Sequence, residues 1–150
     1  MSQLLNKNCI VFDIDADKKE DVILTLVKQL KEAEKITDVE KFYQDVLGRE
    51  AISPTFIGFD IGMPHGKTKN VIEAAVAFGR MSHPVVWNEE TGETADVAIL
   101  IAVPEEEAGN THMKILANFS RRLMHESFRN DLRNSSKEDL YTLLQEVLED

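Results

Sequence analysis

In the stretch GFDIGMPHGKTKN, residues 58–70, His65 stands between Pro64 and Gly66, with Lys67 and Thr68 following. Gly58 and Gly62 precede it, so the segment reads as bent and open rather than as an element packed around the ring. An imidazole acts as a nucleophile when one nitrogen is held by a hydrogen bond and the other meets the reagent. Gly66, Lys67 and Thr68 offer backbone N–H groups, a cation and a hydroxyl, a set that suits phosphate oxygens. His112, in AGNTHMK, falls second in a helix if Asn110 is its N-cap. Its place among unsatisfied N–H groups fits either an anion-facing ring or an ordinary first-turn histidine. His83, before Pro84 at a strand boundary, and His125, late on a helix, read as surface histidines.

Other chemistries find little support. There is no G-x-x-x-x-G-K-[ST] or G-x-G-x-x-G loop, no G-x-S-x-G elbow, and no H-x-x-x-H or C-x-x-C pair. Neither a cofactor nor a metal is expected. The single cysteine, Cys9, lies in the apolar run CIVFDI and reads as a core residue of a reduced compartment.

The elements that must position these groups alternate in type. Asp17 with Glu20 is expected to open a helix that buries Val22, Ile23, Leu26, Val27 and Leu30. Thr37 with Glu40 opens a second, burying Val39, Phe42, Tyr43, Val46 and Leu47 and stopping at Gly48, with Arg49 at or just past its end. A third begins after Asn110 with Ile115, Leu116, Phe119 and Leu123 inward, and a fourth is capped by Ser136 and buries Leu140, Leu143, Leu144, Val147 and Leu148. CIVFDI, EAAVAFGR, PVVWN and ADVAILIAVP read as strands, the last in the sheet centre because VAILIAV is apolar on both faces. The expectation is a single α/β domain over residues 1–150, a mixed central sheet with helices on both faces.

Net charge is −10, which argues against nucleic acid or an anionic membrane surface as the main partner. The N-terminus lacks the features of a signal peptide and no apolar run spans a bilayer, so a cytoplasmic protein is expected.

SPTFIGFDIGMPHGKT, AAVAFGRMSHPVVWN, VAILIAVPEEEAGNTHMKILANFSRRLM and FRNDL together resemble the enzyme IIA domain of the phosphoenolpyruvate-dependent sugar phosphotransferase system, fructose–mannitol type, over nearly the whole chain. The resemblance implies that His65, in the Pro-His-Gly motif, accepts a phosphoryl group on Nε2 from the phosphocarrier protein HPr and passes it to a cysteine of an enzyme IIB domain. It also implies that His112 and Arg49 stabilise the phosphate without a metal, and that sugar choice belongs to the membrane component. The chain is then a free-standing IIA protein or the IIA part of a longer one, and an acidic rim would meet a basic surface of HPr. Asp60-Ile61-Gly62-Met63 departs from the Gly-Ile-Ala-Ile step expected before Pro-His and puts a carboxylate near the phosphate site; Val86 replaces a frequent aspartate. The alternatives are a nitrogen-related regulatory IIA protein acting by protein binding, a metal-dependent hydrolase using His65 and His112, and a binding module in which His65 is structural.

Overall fold

The computed structural model describes residues 4–106 and 111–149, the side chains of 111 and 112 excepted. The elements run β1 (Leu5–Ile14), α1 (Lys19–Glu32), α2 (Val39–Ile52), β2 (Ile61–Gly62), β3 (His65–Thr68), β4 (Ala75–Asn88), β5 (Glu93–Pro104), α3 (Thr111–Arg122), α4 (Glu126–Asn134) and α5 (Lys137–Glu149). The sheet order is β1-β4-β5-β2, with β3 also on β5. β4 and β5 are antiparallel, whereas β1 is parallel to β4, and β2 and β3 are parallel to β5. The expected mixed sheet with VAILIAV at its centre is therefore present.

Side-chain alternation along β5 divides the core. Ala98, Leu100 and Ala102 face α1 and α2, while Val97, Ile99, Ile101 and Val103 face α3, α4 and α5; Ala95, beyond a register shift, joins the first face. The first face is lined with small residues, so helices pack close; a Cβ on Gly79 would stand 2.8 Å from Ile14 Cδ1 and 3.2 Å from Leu26 Cδ2. All five predicted apolar residues of α1 are fully buried there. Their burial is worth roughly 10 kcal/mol before the entropy of ordering is subtracted.

Several helix boundaries differ from the sequence reading. Lys18, not Asp17, takes the cap position of α1, with no side-chain bond. Asp38 caps α2 by accepting the Lys41 N–H at 3.1 Å, because Thr37 is occupied with the Asn70 carbonyl through both its N–H and its hydroxyl. Gly48 does not stop α2: it lies in open space in the last turns, and the helix runs on to Ile52. Ser53 is extended, as a residue before proline tends to be, and that ends the helix. α5 is capped as expected, Ser136 Oγ accepting the Asp139 N–H at 3.2 Å.

EAAVAFGR and PVVWN form one strand, β4, instead of two. A register shift between Arg80 and Val85 absorbs Pro84, which has no N–H to give. His83 consequently lies within the strand, exposed, its Nε2 3.3 Å from Asp15 Oδ1. His125 is exposed too, but it is the N-cap residue of α4 and not the tail of α3. Among the described residues no helix is long and apolar enough to cross a membrane.

Candidate functional site

His65 opens β3, paired to Ile101 of β5, so it sits on a strand and not in the open bend inferred from its glycines. Those glycines serve close packing. A Cβ on Gly66 would meet Phe42 Cε1 at 3.1 Å and Val46 Cγ2 at 3.4 Å, and one on Gly62 would meet the Trp87 ring at 2.4 Å. Only Gly58, of the three, needs its freedom, with φ at 90°. Because Phe42 and Val46 seat α2 on Gly66, the next turn of the helix delivers Arg49 beside His65.

Arg49 and His65 line one cleft of about 620 Å³ with Asp45, Gly66, Lys67, Thr68, Lys69, Asn70 and Glu105. Arg49 Nη1 donates to the Ser53 carbonyl at 3.0 Å, which holds the guanidinium near the end of α2. Lys67 reaches the cleft as predicted, whereas the Thr68 hydroxyl accepts the Asn70 N–H at 2.8 Å and serves a local turn. Asn70 in turn donates to Asp45 Oδ2 at 2.6 Å. Exposed Lys67 and Lys69 stand among these carboxylates, so among the described residues the cleft is mixed in sign.

The His65 ring is half-buried and its Nδ1 lies 3.1 Å from the Met63 carbonyl oxygen. A carbonyl accepts only, so Nδ1 carries the hydrogen and the basic lone pair is on Nε2. Burial pushes the imidazole below its ordinary pKa of 6.5; the Met63 carbonyl and Glu50 oppose that fall and Arg49 adds to it. The ring is therefore neutral at neutral pH. Phosphoryl acceptance is expected to stay level down to about pH 6.5 and decline only below it. A rate profile falling instead through the neutral range would contradict the assignment.

His112 is the second residue of α3, in the first turn as expected, but its side chain and Asn110 lie outside the described residues. Asp60 is exposed and lies away from His65. Its carbonyl accepts the Asp96 N–H at 2.9 Å, and Asp96 is five positions along β5 from Ile101, about 16 Å at the strand rise. Among the described residues no three His, Cys, Asp or Glu side chains converge to hold a metal ion.

The sequence reading missed Glu50, which is only 5% exposed. It forms an ion pair with Lys19 at 3.1 Å and accepts from the Thr55 N–H at 3.2 Å and from the Thr55 hydroxyl. The signal was available: Glu50 follows Val46 by four positions, on the apolar stripe of α2, where a carboxylate survives only if paired.

The chain can be compared with known proteins on this basis. It is 37% identical over 139 residues to the fructose-specific EIIABC component of Bacillus subtilis, covering 93% of this chain and 22% of that protein, so it spans about a fifth of that relative's length. Nitrogen regulatory protein IIA-Ntr from Neisseria meningitidis superposes with a TM-score of 0.85 at 25% identity, over 95% of this chain and 97% of that one. The complex of enzyme IIAMTL with phosphorylated enzyme IIBMTL from Escherichia coli gives 0.79 at 26% identity, over 95% and 99%. The family model for the phosphoenolpyruvate-dependent sugar phosphotransferase system, EIIA 2, matches residues 3–147, and the chain belongs to that family.

Proposed function

We propose that this chain is a phosphohistidine carrier that accepts a phosphoryl group from HPr on His65 and passes it to a cysteine of an enzyme IIB domain during coupled sugar uptake and phosphorylation. The observation that carries the reading is the hydrogen bond from Nδ1 of His65 to the Met63 carbonyl, in a cleft shared with Arg49. It makes Nε2 the nucleophile. The Nε2 lone pair attacks phosphorus in line, and the bond from phosphorus to the donor breaks, its electron pair leaving with the donor. The ring becomes a phosphorylated imidazolium, whose Nδ1–H stays on the Met63 oxygen. Arg49, and His112 at the start of α3, stabilise the equatorial oxygens. In the second step the partner's cysteine thiolate attacks phosphorus, and the N–P electron pair returns to Nε2.

Support for the second step comes from the similar Escherichia coli IIA, which forms a complex with a phosphorylated IIB. The likeness to a nitrogen regulatory IIA protein favours a second reading, in which the same phosphohistidine governs protein binding. Discharge separates them. The phosphorylated chain is mixed with a fructose-type IIB domain, and intact mass is followed on both proteins. Stoichiometric passage of the phosphoryl group to IIB is expected; retention on this chain would favour the regulatory reading.

A further inference from the structure

Met63, whose carbonyl orients His65, is tied through its own N–H to a chain of bonds leading to a buried charge. The Met63 N–H donates to the Thr55 carbonyl at 2.7 Å. Thr55, 8% exposed, gives both its N–H and its hydroxyl to the Glu50 carboxylate. Glu50 is fixed from the other side by Lys19 Nζ, which also donates to the Trp87 carbonyl at 2.9 Å. Helices α1 and α2 thus meet on one carboxylate, with β4 tied in through Lys19, and from it a path runs through Thr55 and Met63 to the ring. Pro64 stiffens the last link by fixing its own φ.

Met63 stands between β2 and β3, which pair with β5 in one register on either side of it, and the Pro64 carbonyl accepts the Ile101 N–H at 3.0 Å; the bond to Thr55, eight positions back, ties Met63 from outside that ladder. The isolated bridge between Phe56 and Gly62 adds one further tie. A buried carboxylate holding two donors of a single residue is a strong clamp, because charge-assisted bonds are about twice as strong as neutral ones. Where a neutral histidine ring can take either tautomer, the bond made by one nitrogen decides which nitrogen is nucleophilic.

We propose that Glu50 is a positioning residue for the phosphoryl acceptor: clamped by Lys19, it holds Thr55 and thereby the Met63 carbonyl, which fixes His65 as the Nδ1–H tautomer and keeps Nε2 aimed into the cleft. The inference rests on the phosphohistidine reading for its catalytic meaning, but the tautomer itself is read without any phosphoryl chemistry. Glu50 touches no reacting atom; it acts on rate through the ring's geometry, read by the tautomer ratio, and through the support its charge gives to the ring's basicity.

The test is imidazole 15N NMR of the unphosphorylated protein above pH 7.5, comparing the wild type with Glu50→Gln and Thr55→Val. The wild type should show His65 almost wholly with hydrogen on Nδ1. In Glu50→Gln the amide keeps one acceptor but loses the charge, and the Nε2–H tautomer should rise at least threefold. Phosphorylation should slow about tenfold, with KM for phosphorylated HPr unchanged. Thr55→Val, which keeps the backbone N–H and loses the hydroxyl, should move both readouts the same way by less. If Glu50→Gln does not fold, Thr55→Val decides alone. A folded variant with an unchanged tautomer ratio, or a rate loss equal to its unfolded fraction, would overturn the proposal and leave Glu50 a purely structural ion pair. A wild type that never accepts a phosphoryl group would refute the carrier reading and leave the tautomer result standing.

Discussion

Replacing His65 with glutamine is expected to abolish phosphoryl acceptance and to leave the fold intact. The glutamine amide nitrogen has no basic lone pair, so the side chain at position 65 can no longer form the N–P bond. Its N–H can still donate to the Met63 carbonyl, the partner of Nδ1 in the wild type. The ring is half-buried at the mouth of a cleft, so its loss opens no closed cavity and Tm should move by only a few degrees. Intact mass after incubation with phosphoenolpyruvate, enzyme I and HPr, together with a melting curve, checks both halves. Undiminished labelling of the variant would remove His65 from its role.

The second large effect is on stability. Phe42 is fully buried between α2 and β3, against Gly66. Phe42→Ala should cost about 3–5 kcal/mol, the transfer energy of the ring plus the cavity it leaves. For a chain of this length that lowers Tm by roughly 10 °C or more. The cavity would open under the helix that carries Arg49, so phosphorylation should also slow in the protein that remains folded. A fall in Tm of under about 2 °C would show that α2 is held on β3 by other contacts.

The two cases differ in how far the sequence revealed them. Spacing alone marked the buried face of α1, and the unbroken apolar run VAILIAV placed β5 at the sheet centre, because both are local patterns that a single helix or strand displays. Boundaries were less legible. Gly48 reads as a stop, yet the helix is ended by Pro54 acting on Ser53, and Pro84 reads as a break that a register shift absorbs. Helix α4 was missed because only Phe128 and Leu132 mark its buried side, too few for a periodic signal.

The site divides in the same way. His65 and Arg49 were chosen from motif residues, and they do share a cleft. Glu50 was passed over because its partners, Lys19 and Thr55, come from separate parts of the chain, 31 and five positions away. Such a cluster exists only once α1 and α2 pack together. The glycines around His65 looked like a device for flexibility, whereas Gly62 and Gly66 admit Trp87 and Phe42 to the strands beside the histidine.

On the proposed function, one imidazole nitrogen, on His65, carries the phosphoryl group. The most direct test is to phosphorylate the wild-type chain through phosphoenolpyruvate, enzyme I and HPr, digest it at alkaline pH, and map the modification by mass spectrometry. A single phosphoryl group on the peptide containing His65, stable in base and lost in mild acid, is the predicted result. A phosphoryl group on any other residue, His112 included, or none on a folded chain, would contradict it.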